Sequence, residues 1–153
     1  MIITHLYLSP GHAFAGRFGQ PALPIPMVEV DRVEVQAGRG LVGDRYSDRA
    51  AGHKGQVTFF AEETWLRLNE ALGRNDRGPE VFRRNVIVRG VDLMALIGAE
   101  FEVQGVRFQG SEHCAPCLWM DQAFGPGALA TLAAWSAGGL RARALTNGWL
   151  QRT

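Results

Sequence analysis

Lysine is almost missing from this chain. Of 16 basic residues only Lys54 is a lysine, so Schiff-base chemistry has a single possible position. Cysteine is scarce: two in 153 residues exclude a disulfide framework and an iron–sulfur cluster held by this chain alone. Charge of one sign is missing as well. Sixteen basic residues against 15 acidic leave a net +1, too little for a bulk drive toward nucleic acid or an anionic membrane. No run approaches the ~18 apolar residues of a membrane span. The opening MIITHLYLSPG lacks a basic start and a long apolar stretch, so no secretory leader is expected and the chain is assigned to the cytosol. What remains, 46% apolar and 20% charged, is an ordinary globular composition. At this length it predicts a single domain over 1–153 whose core needs no staples.

The chain opens on a predicted strand, 2–8. Residues 9–27 carry four prolines and three glycines and hold no period, so they read as a long Pro/Gly loop. Residues 28–37 (VEVDRVEVQA) alternate but slip phase at Asp31–Arg32, as a bulged strand would. A Gly- and charge-rich loop covers 38–55, and QVTFF (56–60) is a strand. Ala61, Trp65, Leu68 and Leu72 mark one face of a helix that stops at Gly73. FRRNVIVR (82–89) is a strand, Asp92 caps a short turn, and 100–110 is a hairpin turning at Gln104–Gly105. Pro126 opens a helix ending at Gly138–Gly139, and 139–145 closes the sheet. Strands outnumber helices without alternating with them. The expected fold is therefore mainly β with short helices (α+β), a β-barrel with helical insertions rather than a βαβ sheet.

Two phosphate motifs fail on inspection. Gly38–Gly43 fits GxGxxG, yet the following Asp44-Arg45-Tyr46-Ser47 has no apolar stripe to open a helix and puts an acid where phosphate belongs. Gly11–Gly16 has P-loop spacing, but Arg17-Phe18 replaces the required Lys and Ser/Thr. Both cysteines stand in His113-Cys114-Ala115-Pro116-Cys117. Four readings stay open. They are two buried small hydrophobes, a redox pair, a zinc site completed by His113, His53 and His12, or one thiolate on a soft metal that brings its own scaffold. The redox reading wants a helix directly after the pair, and the predicted helix starts nine residues after Cys117.

The run Phe82-Arg83-Arg84-Asn85-Val86-Ile87-Val88-Arg89-Gly90-Val91-Asp92-Leu93, then Leu96-Ile97-Gly98, then Cys114-Ala115-Pro116-Cys117, resembles the MOSC domain. That domain ends the molybdenum cofactor sulfurases and recurs in the amidoxime-reducing components and in small bacterial stand-alone proteins. Gly40-Leu41-Val42-Gly43-Asp44-Arg45 resembles the family's Gly-Leu-x-Gly-Asp loop, and the likeness runs over about 28–150. The resemblance implies a MOSC-type β-barrel and a pterin-based molybdenum cofactor (molybdopterin). It makes Cys117 the metal ligand and catalytic residue, with Arg83 and Asn85 on the cofactor's phosphate and pterin. If 82–89 alternates, Arg83, Asn85 and Arg89 share a face, which favours Arg89 over Arg84 as a third member. Cys114, Asp44, His53 and Lys54 complete the cofactor-side candidates, with His12 and Arg17 as further substitutes from the 9–27 loop. The bland readings are a solvated strand edge for Arg83–Arg84, a loop-orienting carboxylate for Asp44 and a surface loop for His53–Lys54.

The implied activity is that of a molybdenum-dependent oxidoreductase reducing N-hydroxylated or N-oxide compounds, with electrons from a separate reductase. The alternatives are a sulfur carrier or cofactor-maturation module using a Cys persulfide beside a cofactor-synthesis protein, or a non-catalytic relative. The sulfurases' pyridoxal phosphate domain has no counterpart in these 153 residues, so no pyridoxal phosphate site is expected here.

Overall fold

The computed structural model describes residues 1–153 other than 15, 17, 48 and 51. Its strands are β1 (Ile2–Leu8), β2 (Val28–Glu29), β3 (Arg32–Gln36), β4 (Gly40–Leu41), β5 (Val57–Ala61), β6 (Val86–Arg89), β7 (Glu100–Val103), β8 (Val106–His113), β9 (Leu140–Ala144) and β10 (Gly148–Gln151). The helices are α1 (Glu62–Ala71), α2 (Trp119–Ala123) and α3 (Ala128–Ala134). Seven strands form one sheet in the order β2-β1-β6-β5-β9-β8-β7, and three form another, β10-β3-β4. The architecture is mainly β with few short helices, α+β, as expected. Among the described residues the strands do not close into a barrel: β2 and β7 end the larger ladder, and the three-stranded sheet is a separate ladder.

Strand alternation builds three layers. Val57, Phe59, Val86, Val88 and Leu140 of the large sheet meet Val33, Val35, Leu41 and Leu150 of the small one. The intervening Tyr7, Phe60 and Ile87 face the other way, onto Leu68, Phe124 and Leu132 of the helical layer. Phe82 joins this second core. Its ring stacks on Phe60 at 4.4 Å and on Phe124 at 5.6 Å between centroids, pairs that contribute about 0.5–1.5 kcal/mol each beyond their burial. This anchor fixes the three residues that follow it, Arg83-Arg84-Asn85.

Five local expectations change. Residues 28–37 are not one bulged strand: β2 pairs with β1, whereas β3 pairs with β10 and β4, so the phase slip at Asp31–Arg32 marks a change of sheet. The strand expected over 82–89 begins at Val86. Pro79–Phe82 forms a 3-10 turn that ends on Arg83 at φ 54°, ψ 40°, a left-handed conformation that an extended ladder cannot include. One βαβ unit is present, because β5 and β6 are parallel on either side of α1. The five-residue α2 is too short to carry a period. Finally, β9 does not end the fold, since β10 follows the Asn147–Gly148 turn and pairs with β3.

Candidate functional site

Four connections converge beside Cys117: the loop after β1, the loop after β4, the 79–85 segment before β6, and the stretch after β8. They enclose a cleft of about 130 Å³ bordered by Cys117, Phe14, Trp119, Arg45, Arg83 and Arg84. Cys117 is exposed and Cys114 is buried. Phe14 stacks on Trp119 at 4.7 Å, and Phe18 meets the same indole edge-on at 5.6 Å, so aromatic rings wall one side.

The opposite wall is cationic. The Arg45 side chain is only 5% exposed. Its Nη2 donates to the Arg83 carbonyl at 3.0 Å and its Nη1 lies 3.4 Å from Asp44 Oδ1, but its buried Nε has no hydrogen-bond partner among the described residues. An unpaired buried donor of this kind costs about 1–3 kcal/mol. Arg83 lines the cleft but its fork is already engaged. Nη1 donates to the Ile25 carbonyl at 2.8 Å, and Nη2 donates to Ser9 Oγ and the Gly11 carbonyl, both at 2.9 Å. Burial and the neighbouring Arg45 cation bring its pKa down to about 10. The cleft is thus short of negative charge.

The other sequence candidates divide. Arg84, set aside in favour of Arg89, is the one beside Cys117. It is buried and donates from Nε to the Gly138 carbonyl at 3.1 Å and from Nη1 to the Phe82 carbonyl at 2.8 Å. Its Nη2 reaches the Cys114 carbonyl at 3.5 Å, tying the cysteine loop to the start of β9. Arg89 sits at the far end of β6, exposed and 3.8 Å from Glu62, and does not border the cleft. The shared face expected for Arg83, Asn85 and Arg89 fails because the strand starts after Asn85. Asn85 is wholly buried: its Oδ1 accepts from Thr58 N at 3.1 Å and Thr58 Oγ1 at 2.9 Å, and its Nδ2 donates to the Tyr7 carbonyl at 3.2 Å. It ties β1 to β5 rather than facing the cleft. Asp44 is buried and orients loop backbone, accepting from Ser9 N at 3.0 Å and Tyr46 N at 3.2 Å. His53 and Lys54 line a second cavity, which meets the first at Tyr46. His12 borders the Cys117 cleft, and Arg17 lies outside the described residues.

Two readings of the cysteine pair lose their settings. Among the described residues no three His, Cys, Asp or Glu side chains cluster as metal ligands, so the zinc set is not assembled. His113 is used locally: its Nε2 accepts from Gly138 N at 2.9 Å, and burial, then Arg84, lower its pKa. A helix does begin just after Cys117, contrary to expectation, but it has five residues, and the βαβ unit lies elsewhere.

The sequence does not single out Arg45 or Trp119 as site residues. Arg45 stands in the Gly40–Arg45 motif, and only folding shows that its side chain is buried. Trp119 follows Cys117 by two residues and carried no period.

The MOSC domain family model matches residues 46–152. No curated protein matches the sequence. Among solved structures, YuaD from Bacillus subtilis superposes with a TM-score of 0.72 at 16% identity, covering 97% of this chain and 90% of that one. YiiM from Geobacillus stearothermophilus gives 0.71 at 16% identity, over 98% of this chain and 70% of that one. YiiM from Escherichia coli gives 0.62 at 16% identity, over 94% and 65%. At this identity the likenesses establish the fold. Among the described residues no helix is long and apolar enough to cross a membrane.

Proposed function

Because the chain belongs to the MOSC domain family, we propose that it binds a pterin-based molybdenum cofactor with Cys117 as the thiolate ligand to the metal. The observation that carries this reading is an exposed thiol bordering one small cleft together with Arg45, Arg83 and Arg84. The residues fit such a group. A soft metal suits thiolate, and the anionic groups of the cofactor suit a wall short of negative charge. The cleft, at about 130 Å³, is smaller than the ~300–1,000 Å³ of common ligand pockets and admits one end of such a molecule. Arg45 also borders a separate depression of about 530 Å³.

When bound, the cofactor supplies two-electron redox and oxygen-atom transfer at its metal. The chain's own residues do the rest. Cys117 supplies the sulfur, and the arginine-lined wall suits the cofactor's anionic groups. Phe14 and Trp119 exclude water from one side. Arg84 positions the cysteine loop through the Cys114 carbonyl, and Arg83 fastens the 9–27 loop that carries Phe14. The activity proposed is reduction of N-hydroxylated or N-oxide compounds with electrons from a separate reductase.

The test is metal and pterin content in wild type and Cys117→Ser from a host that makes the cofactor. Stoichiometric molybdenum and pterin in the wild type, with the metal lost in a folded mutant, is the expected outcome. Equal content in both proteins would overturn the ligand assignment. The exposure of Cys117 also favours a second reading, sulfur carriage as a persulfide. A sulfur-mass adduct after incubation with a cysteine desulfurase and cysteine, absent in Cys117→Ser, is its signature.

A further inference from the structure

A further cavity, of about 420 Å³, lies at the other end of the βαβ unit. It sits at the carboxyl ends of the parallel strands β5 and β6, bordered by the first turns of α1, by residues 91–94 and by the turn after α3. The Cys117 cleft takes Arg83 and Arg84 from the opposite end, before β6. Crevices at the carboxyl ends of parallel strands are where open α/β sheets place their ligands. The floor of this one is anchored on both sides. Val91 and Leu93 belong to the core between the sheets, and Trp135 and Ala137 pack against the helical core.

The charges around it are held apart. Glu63 and Arg67 stand one turn apart on α1, the i,i+4 spacing at which an acid and a base ordinarily pair. Here they do not meet. Glu63 Oε1 accepts from Gly90 N at 2.8 Å, and the Arg67 guanidinium lies over the Trp135 ring, 3.8 Å from its centroid. Among the described residues Arg67 has no ion pair. Stacking uses the face of the guanidinium and leaves the N–H groups at its edge free for a planar carboxylate. Asp92 adds a second acid, its Oδ1 accepting from Met94 N at 3.0 Å. Glu63 Oε2 and Asp92 Oδ2 accept from no described residue. Two acids and a cation thus border one apolar-floored cavity without neutralising one another.

We propose that this cavity binds a small zwitterion of the α-amino acid type with an apolar side chain. Its ammonium group is taken by Glu63 and Asp92, its carboxylate by the edge of Arg67, and its side chain by Val91, Leu93 and Ala137. An α-amino acid carries both charges on one carbon, so a single helical turn of about 5.4 Å spans them. A simple amine would leave Arg67 unused, and a simple acid would meet two carboxylates of its own sign. At about 420 Å³ the cavity lies within the ~300–1,000 Å³ of common ligand pockets. It shares no lining residue with the Cys117 cleft and does not depend on the molybdenum reading.

The test is calorimetric titration of the whole protein at low ionic strength with L-phenylalanine and, in parallel, with phenethylamine and 3-phenylpropionate, which each keep one of its two charges. L-Phenylalanine should bind with a Kd below about 1 mM, and both analogues at least tenfold more weakly. Arg67→Met, which keeps an apolar stem over Trp135, should bring the amino acid down to the level of the amine. The double variant Glu63→Gln, Asp92→Asn keeps acceptors for Gly90 N and Met94 N and should bring it down to the level of the acid. Cys117→Ser should leave all three affinities unchanged. Thermal unfolding of each variant checks that it folds. An amino acid that binds no tighter than about 1 mM, an amine that binds as tightly as the amino acid, or a folded Arg67→Met with wild-type affinity would overturn the proposal.

Discussion

Asn85 illustrates how a residue can match a motif and still be engaged inside the fold. Its amide satisfies Thr58 N, Thr58 Oγ1 and the Tyr7 carbonyl, all in a fully buried setting. Asn85→Ala leaves those buried groups without partners, at a cost of about 3 kcal/mol. For a chain of this length that is a fall in Tm of roughly 6–12 °C. Differential scanning calorimetry checks it. Retained Tm with lost pterin would instead restore Asn85 to the cofactor's first contacts. Arg83 behaves similarly toward the 9–27 loop, through three hydrogen bonds to Ile25, Ser9 and Gly11. Arg83→Ala removes all three, and limited proteolysis within 9–27 should accelerate at least tenfold while the Tm falls only modestly. An unchanged cleavage rate would mean that the loop is held by its own packing.

Among the elements, the cysteine loop is held by packing as much as by hydrogen bonds. A Cβ on Gly138 would sit 2.7 Å from Pro116 Cδ and closer still to the Cys114 carbonyl oxygen, both parts of that loop. The neighbouring Arg84 joins the carbonyls of Gly138 and Cys114. Gly138→Ala must therefore move the CAPC segment. The expected result is a Tm lower by several degrees and at least a tenfold change in the alkylation rate of Cys117, read by mass spectrometry. An unchanged rate would show that the loop has slack. Elements with strong local signals were readable in advance. The β7–β8 hairpin turns at Gln104 (φ 52°) and Gly105 (φ 82°), where its sequence put the turn, and α1 stops before Gly73 (φ 62°). The extended run expected at 82–85 was not readable. Phe82 is drawn into the helical core and the backbone turns at Arg83 to allow it.

At the level of the whole molecule, three of the histidines share a direction. Burial is the first cause at His12, His53 and His113, with neighbouring arginines next, and all three pKa values lie below the usual 6.5. A folded pKa below the unfolded one means that the unfolded chain binds more protons in between, so stability rises with pH there. This contribution is complete above about pH 6.5 and is lost as pH falls through the folded values. The Tm should decline from pH 7 to pH 5. His113→Gln, which keeps an acceptor for Gly138 N, should flatten that decline. A decline of equal slope in the variant would place the acid sensitivity elsewhere.

The sequence alone determined the family, through the order of its motifs, and the β-rich class, through strand patterning. It also confined thiol chemistry to one short segment, because two cysteines leave no other place. The tertiary structure decided which side chains are available. Arg84 rather than Arg89 stands beside Cys117, and Asn85 and Asp44 are occupied by backbone and neighbouring side chains. Among the described residues the buried Nε of Arg45 has no hydrogen-bond partner, and Arg49 Nη1 stands 3.5 Å from His53 Nε2. Availability depends on what else a polar atom touches after folding, and those partners come from segments far away in the chain.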